Sequence, residues 1–329
     1  MSIQGKSIEM SAAADYLGTG AIEVPVFERE ILDVIRRSSI PLQRFRQVKA
    51  TGHPHRYFEQ TAIASGQSVD PRNLTSTATS PTRVERPAFI KATIAQSSLS
   101  LFDKDVTEQQ GQFAGVVAKD IDDIVSAVEI NRAQMVWAGN DTSMSAPTTT
   151  QWMGGLSQIS LQATCSSSAS IIDVLKTTVA QMVANQTYVV RPTAIYLNPL
   201  LADLIDQEAK ASRITLDEVD VVAGVTVAAI STQVGKLPLI GDPFMPSATA
   251  AAYGFAAPPN GLKNYFAVIV MESEVEIPYI SGASDDPNPR LFQLGLTGNL
   301  AGQYIGVKFD TIIFKGASYA HAVVAVQRP

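Results

Sequence analysis

The chain has 329 residues, 46% hydrophobic and only 17% charged, with a net charge of −6. Soluble domains usually carry about 25% charged residues, so much of this surface is expected to be covered by other copies of the chain. The acidic balance argues against a dedicated nucleic-acid binder, and a single cysteine, Cys165, excludes intrachain disulfides and any zinc cage built on several thiolates. No apolar run approaches the ~18 residues of a membrane span, and the start MSIQGKSIEM lacks a secretory apolar core. The chain is therefore expected to be soluble and made inside a cell. Its length exceeds the roughly 250–300 residues at which one core stops growing, which predicts two domains plus extensions.

Residues 1–25 show no steady period and read as an extended arm. Phe27–Arg37 spaces Ile31, Val34 and Ile35 as a short amphipathic helix, with Pro41 as its end. From Phe45 the chain turns extended, and PAFIKATIAQ alternates: Ala88, Ile90, Ala92 and Ile94 on one face, Phe89, Lys91 and Thr93 on the other. Between the extended pieces lies a polar segment at residues 61–83 with little to bury. It is read either as a disordered loop or as a long two-stranded loop ordered over a neighbouring subunit.

The stretch from Asp105 to Ala138 dominates the rest. Phe113, Val117, Ile121, Ile124, Val128 and Met135 form one stripe of a helix about 50 Å long. Gly139 supplies its stop through the left-handed conformation that glycine tolerates. A turn-rich stretch follows. A second helix is predicted over Ser170–Ala184, capped by Ser168 or Ser170. Thr193–Leu197 reads as a strand leading into Asn198–Pro199, a cap and first-turn pair that starts a third helix. Val219–Ile230 is rich in Val and reads as strand. NYFAVIVMESEVEIPYI is one long strand or two, and YIGVKFDTIIFKGASYAHAVVAV reads as a hairpin. The chain is of α+β class.

Motifs for chemistry are absent. His53 and His55 would share a strand face but have no carboxylate partners, so a turn or contact role outweighs metal binding. Asp120, Asp122 and Asp123 on one helical turn read as a solvated or intersubunit face, and Glu272, Glu274 and Glu276 as one face of a strand. Neither GxSxG, GxGxxG nor GxxxxGK[ST] occurs. No catalytic, cofactor or metal residue is assigned. Arg44, Arg46, Arg56, Arg83 and Arg86 cluster about the extended loop and read as partners for carboxylates on other copies.

The order of these features resembles the major capsid protein of tailed double-stranded DNA bacteriophages, the Hong Kong 97-type capsid fold. The resemblance rests on the arm, the long loop and the helix Asp105–Ala138 ending in WAGND. It also rests on the Gly154–Gly155–Leu156 turn, TAIYLNP with its helix, Leu237–Pro246 (LPLIGDPFMP) and the last strand, YAHAVVAV. It implies an N-terminal arm and short helix at 1–44, an extended loop at 45–98, and a peripheral domain at 99–165 with the long spine helix. An axial domain would span 166–290, with closing strands of the peripheral domain at 291–329.

Such a subunit would assemble as pentamers and hexamers into the icosahedral head around phage DNA, which it touches non-specifically. Scaffolding and portal proteins, and a cementing protein, would be its other partners. It would be assembled in the host bacterial cytoplasm and reside in the virion capsid, without a membrane. The candidate intersubunit contacts are Arg46, Arg56, Tyr57, Arg83 and Arg86, with Glu108 and Asp120 as acidic counterparts on a neighbour. Residues 51–90 contain no lysine, so no isopeptide crosslink from the loop is expected. A scaffolding function is expected from a separate protein or a removed precursor segment. The alternatives are the shell protein of a cellular nanocompartment with the same fold, and an α+β enzyme with a lid at 61–83.

Overall fold

The structure is a computed structural model that describes residues 39–100, 102, 105–106, 109, 116–212, 216–222, 225–282, 285–294 and 301–329. The arm and the helix expected at Phe27–Arg37 lie outside these residues. The first described element is a short helix, α1 (Ile40–Arg44). Pro41 stands in its first turn, where a missing N–H leaves no bond unmade. It opens a helix rather than ending one.

Two sheets form the body. The smaller has the order β1 (Arg46–Lys49), β12 (Val275–Ile280), β14 (Ala301–Asp310), β13 (Arg290–Leu294). Strand β15 (Ile313–Phe314) joins β12, and β4 (Lys91–Ser100) runs beside the whole of β14. Both ends of the expected loop are therefore sheet. What projects between them is a two-stranded ribbon, β2 (His55–Ala62) against β3 (Thr82–Ala88).

The spine helix, α2, is described from Val116 to Ala138 and crosses β4 and β14. Ile124, Val128, Met135 and Val136 are buried, as the stripe requires. Gly139 ends it for a reason other than the one expected, since it is not among the residues with positive φ. A Cβ there would lie 2.4 Å from the Trp152 carbonyl oxygen, and one on Gly154 2.4 Å from that of Trp137. Two backbones touch at this point, and only glycine leaves room.

The larger sheet runs β5 (Gln162–Cys165), β16 (Ala322–Arg328), β11 (Lys263–Val270), β6 (Ala194–Leu197), β9 (Gly235–Gly241), β8 (Val225–Thr232), β7 (Asp217–Val222), with β10 (Ser247–Ala248) beside β11. After the one-turn helix α3 (Gly155–Gln158), helices α4 (Ile171–Val183) and α5 (Pro199–Ala211) follow the expected bounds closely. Ser170 caps α4 by accepting from the Asp173 amide, and Asn198 caps α5 by accepting from the Leu200 amide. Tyr265, Ala267 and Ile269 of β11 face the α4–α5 core. Phe266, Val268 and Val270 face a second core with Trp137, Trp152, Leu156, Phe314 and Phe45. A sheet buried on both sides reads as a continuous apolar run, and NYFAVIV is one.

Two expectations are corrected here. The run after Asn264 is two strands in different sheets, parted by a 3-10 turn at Glu272–Glu274, so the three glutamates share no strand face. The expected C-terminal hairpin does not form, because β14 lies in the smaller sheet and β16 in the larger. Within β4 the alternation of PAFIKATIAQ holds, with Thr93 buried and Ile94 exposed. The spine covers the side of the smaller sheet that carries Lys91, Thr93 and Ala95 opposite Asp310, Lys308 and Gly306. A helix lying this close needs small residues beneath it. A Cβ on Gly306 would sit 2.6 Å from Ile124 Cγ2.

Candidate assembly surfaces

The ribbon owes its shape to the pleat. Tyr57 and Glu59 turn toward the body, while Phe58 and Gln60 turn outward, and Phe58 is 73% exposed. Its root is fastened to its own chain. The Tyr188 hydroxyl donates to the Thr61 carbonyl at 2.7 Å, and the Tyr188 ring stacks on Tyr319 at 4.1 Å. Lys315 Nζ lies 5.7 Å from the centroid of the Tyr57 ring. Beyond the strands, the limbs of the polar segment run together through side-chain bonds. The Ser65 amide donates to Thr79 Oγ1 at 2.9 Å, and the Thr77 amide to Gln67 Oε1 at 3.0 Å. Leu74 and Ile63 are exposed there. Beyond that root, a two-stranded ribbon with no third strand among the described residues is marginal in water.

The residues singled out from sequence are placed as follows. Arg56 pairs with Glu85 at 2.8 Å and Arg86 with Glu59 at 2.9 Å, both within the ribbon. Such exposed pairs are worth about 0–1 kcal/mol each. Arg46 is exposed, 3.9 Å from Glu276. Arg83 lies on the outward face opposite Gln60, and Asp120 Oδ2 accepts from Ser97 Oγ at 3.5 Å on the spine. Glu108 lies outside the described residues. Within one chain, neither Arg56, Arg83 nor Arg86 is brought to Asp120. The apolar members of these surfaces were missed by sequence reading: Phe58 on the ribbon, and Ile94, Phe292 and Leu294 on the smaller sheet. Their period-two positions give the face they share, but not which face is wet.

The side of the smaller sheet away from the spine carries Ile94 (59% exposed), Phe292 (48%) and Leu294 (43%), beside half-buried Ile305, Val307 and Phe309. The Arg290 guanidinium lies 5.4 Å from the Phe309 ring centroid and 6.0 Å from that of Phe292. Contiguous exposed apolar area of this kind marks an interaction surface.

Beneath the spine, charge replaces hydrophobic contact. Arg132 and Asp310, 1% and 0% exposed, face each other at 2.7 Å, and Arg132 also donates to Glu129. Lys308 Nζ lies 3.7 Å from Glu129 and 3.9 Å from Asp310. Burial raises the Asp310 carboxyl and lowers the Lys308 ammonium from their ordinary values. Where the chain crosses from β11 to β12, Glu272 accepts both forks of Arg44 at 2.7 and 2.8 Å and the Tyr196 hydroxyl. That contact ties α1 to both sheets.

Two buried groups contribute to the acid response. His321 is fully buried, and desolvation lowers its imidazole to about 4 despite a contact with the Lys315 carbonyl. Burial alone would raise Asp141. Hydrogen bonds from Lys91 and Thr148 outweigh it and hold the carboxyl at about 2. As pH falls from about 6.5, the unfolded chain protonates its histidine while the folded chain does not. Stability should therefore drop by about 3 kcal/mol between pH 6.5 and 4 from this residue. Asp141 adds a further loss as pH falls from about 4 to 2. Urea unfolding of the subunit at pH 7, 5.5 and 4.5 measures the slope, and His321→Gln should flatten it across that window. An unchanged slope would remove His321 as its cause.

A cleft of about 510 Å³ at the ribbon root is lined by Tyr57, Glu59, Arg86, Gln158 and Phe314, and its Glu59 carboxylate is already held by Arg86. His53 stands edge-on to Phe89, with ring centroids 5.2 Å apart. Among the described residues, no group of three or more His, Cys, Asp or Glu is placed to share a metal ion.

No protein-family model matches the sequence, and no curated protein matches it. Solved structures do match. The head of Helicobacter pylori bacteriophage KHP40 is similar at 10% identity and a TM-score of 0.64, over 96% of this chain and 97% of that one. The capsid of an empty GTA particle is similar at 13% identity and a TM-score of 0.64, over 95% and 98%. The holo-SrpI encapsulin complex from Synechococcus elongatus is similar at 12% identity and a TM-score of 0.61, over 95% and 94%. The fold defined by these likenesses is the Hong Kong 97-type capsid fold, a mixed α and β architecture. The chain has that fold along nearly its whole length.

Proposed function

We propose that this chain is the major capsid subunit of a tailed double-stranded DNA bacteriophage, assembling as pentamers and hexamers into an icosahedral head. The observation that carries this reading is a ribbon and a sheet face left exposed among the described residues, on a fold matched along nearly its whole length by a phage head and a GTA capsid. The ribbon extends over a neighbouring subunit, with Arg83, Arg56 and Arg86 near its acidic residues. The larger sheet with α4 and α5 serves as the axial domain and the smaller sheet with the spine as the peripheral one. Scaffolding, portal and cementing proteins are its partners, and packaged DNA touches it without sequence preference. The role is structural, without catalysis.

A second reading, the shell of a cellular nanocompartment, is favoured by the likeness to an encapsulin. Electron microscopy of the purified chain separates the two. A head holding DNA supports the phage reading, and a small uniform shell around protein cargo supports the other. A chain that never forms rings or shells, with or without a scaffold, would overturn both. Replacing residues 63–81 by a two-residue Asn-Gly turn should leave the subunit folded, because these residues bury almost nothing, and should abolish closed particles in the same micrographs.

A further inference from the structure

The spine meets the smaller sheet in two ways. Over Gly306 the contact is dry and close, with Ile124 against the backbone of β14. Further along, at Arg132, it is polar. Thr93 and Lys308 lie directly opposite each other in the sheet, and Asp310 follows Lys308 on the same side of β14. Arg132 stands over them, its guanidinium 5.7 Å from the centroid of the Trp152 ring. Thr93, Lys308, Arg132, Trp152 and Asp310 are each no more than 5% exposed.

These side chains do not satisfy one another. Thr93 Oγ1, Trp152 Nε1, Arg132 Nη2 and both oxygens of Asp310 have no hydrogen-bond partner among the described residues. Arg132 Nε and Asp310 Oδ2 are 2.7 Å apart, yet the N–H is not aligned on the oxygen. Lys308 Nζ stands 3.7 Å from Glu129 and 3.9 Å from Asp310, beyond the roughly 2.7–3.2 Å of a direct bond. Lys91, opposite Asp310, directs its ammonium to Asp141 and the Thr149 carbonyl instead. Buried polar groups rarely go unpaired, because each would forfeit its hydration for nothing.

The charges around this seat say what can enter it. Two cations, Arg132 and Lys308, face two carboxylates, Glu129 and Asp310. An added anion would meet Asp310, and an added cation would meet Arg132. Open donors and open acceptors stand side by side, so the ligand is small, neutral and able to donate and accept at once. We infer that the seat beneath the spine is a binding site for buried water, shared by Thr93, Trp152, Arg132 and Asp310 across the helix–sheet contact. Thr93 is then buried for its hydroxyl, which holds this water, while Ile94 is turned outward. The site belongs to a single chain, so it stands whether or not the shell reading does.

Thr93→Val tests the site by sign, because valine keeps the branched shape and drops the hydroxyl. With water held there, the variant leaves it one partner short. The unfolding constant of the full-length subunit is then expected to rise about threefold to tenfold. A hydroxyl without a ligand would give an unchanged or lower constant, and that result would overturn the inference. In the Arg132→Met, Asp310→Leu background the water loses its charged partners, and Thr93→Val is expected to become neutral or stabilising. An equal cost in both backgrounds would break the link between Thr93 and the charged pair, and the shared water with it. A near-atomic density map of the subunit gives a second readout. A peak within about 3.2 Å of Thr93 Oγ1 and of at least two of the other groups is expected. Direct bonds among these groups with no peak between them would overturn the site, and bromide taking the peak's place in a soaked crystal would overturn water as its ligand.

Discussion

Arg132→Ala should destabilise the subunit by roughly 3–5 kcal/mol, the range for removing one partner of a buried ion pair. The guanidinium is 1% exposed and faces an Asp310 carboxylate that is 0% exposed. Without it, Asp310 keeps only Lys308, 3.9 Å away. Burial already favours the neutral carboxyl, and losing the guanidinium would favour it further and loosen the spine's hold on β14. The double variant Arg132→Met with Asp310→Leu should recover most of the loss, because it removes the desolvation penalty together with the pair. Guanidinium midpoints of the single and double variants measure the difference. Equal losses in both would mean that the pair acts through packing, the Arg132 guanidinium lying 5.7 Å from the centroid of the Trp152 ring.

Gly154→Ala is expected to be still more damaging in practice, costing at least about 3 kcal/mol, the upper range for overpacking. Conformation is not the cause, since Gly154 sits at φ −69°, ψ 158°, which alanine adopts freely. The added methyl would meet the Trp137 carbonyl oxygen at 2.4 Å and the Gly139 nitrogen at 2.5 Å. Both are backbone atoms, locked by the Gly154 amide donating to the Gly139 carbonyl and the Asp141 amide to that of Trp152. Relief would require the spine to part from the turn beside α3, opening the core around Trp137 and Trp152. Gly52→Ala is the control: nothing lies within 4 Å of its added carbon, and its midpoint should stay within about 0.5 kcal/mol of the parent. A soluble Gly154→Ala subunit with a parental midpoint would show that the two backbones do separate.

Much of the architecture was legible in the sequence where local chemistry decides structure. Ser170 and Asn198 cap their helices as their side chains dictate, and the spine carries its stripe. Where partners distant in the chain decide, the sequence misled. Ile94 looks like core and Thr93 like surface, yet the spine lies over the threonine side because Gly306, far along the chain, makes room there. Glu272 looks like one tooth of an acidic strand, but Arg44 and Tyr196 draw it into a half-buried junction. The candidate surfaces were half visible for the same reason. The arginines of the loop announce themselves by charge, whereas Phe58 and Ile94 differ from core residues only in what fails to cover them.

The crossing of the chain between its two sheets has a kinetic consequence. Among the described residues, strand β4, at 91–100, pairs only with β14, at 301–310, and β5, at 162–165, only with β16, at 322–328. Both sheets wait for strands synthesised long after the first ones emerge. Contact order is therefore high and folding slow. The uncharged run of β4 stands exposed on both edges throughout synthesis, when stray pairing is most dangerous. Yield of this subunit should consequently be limited by folding rate rather than by final stability. Slower synthesis at low temperature, or extra chaperone, should raise the soluble fraction without changing the unfolding midpoint.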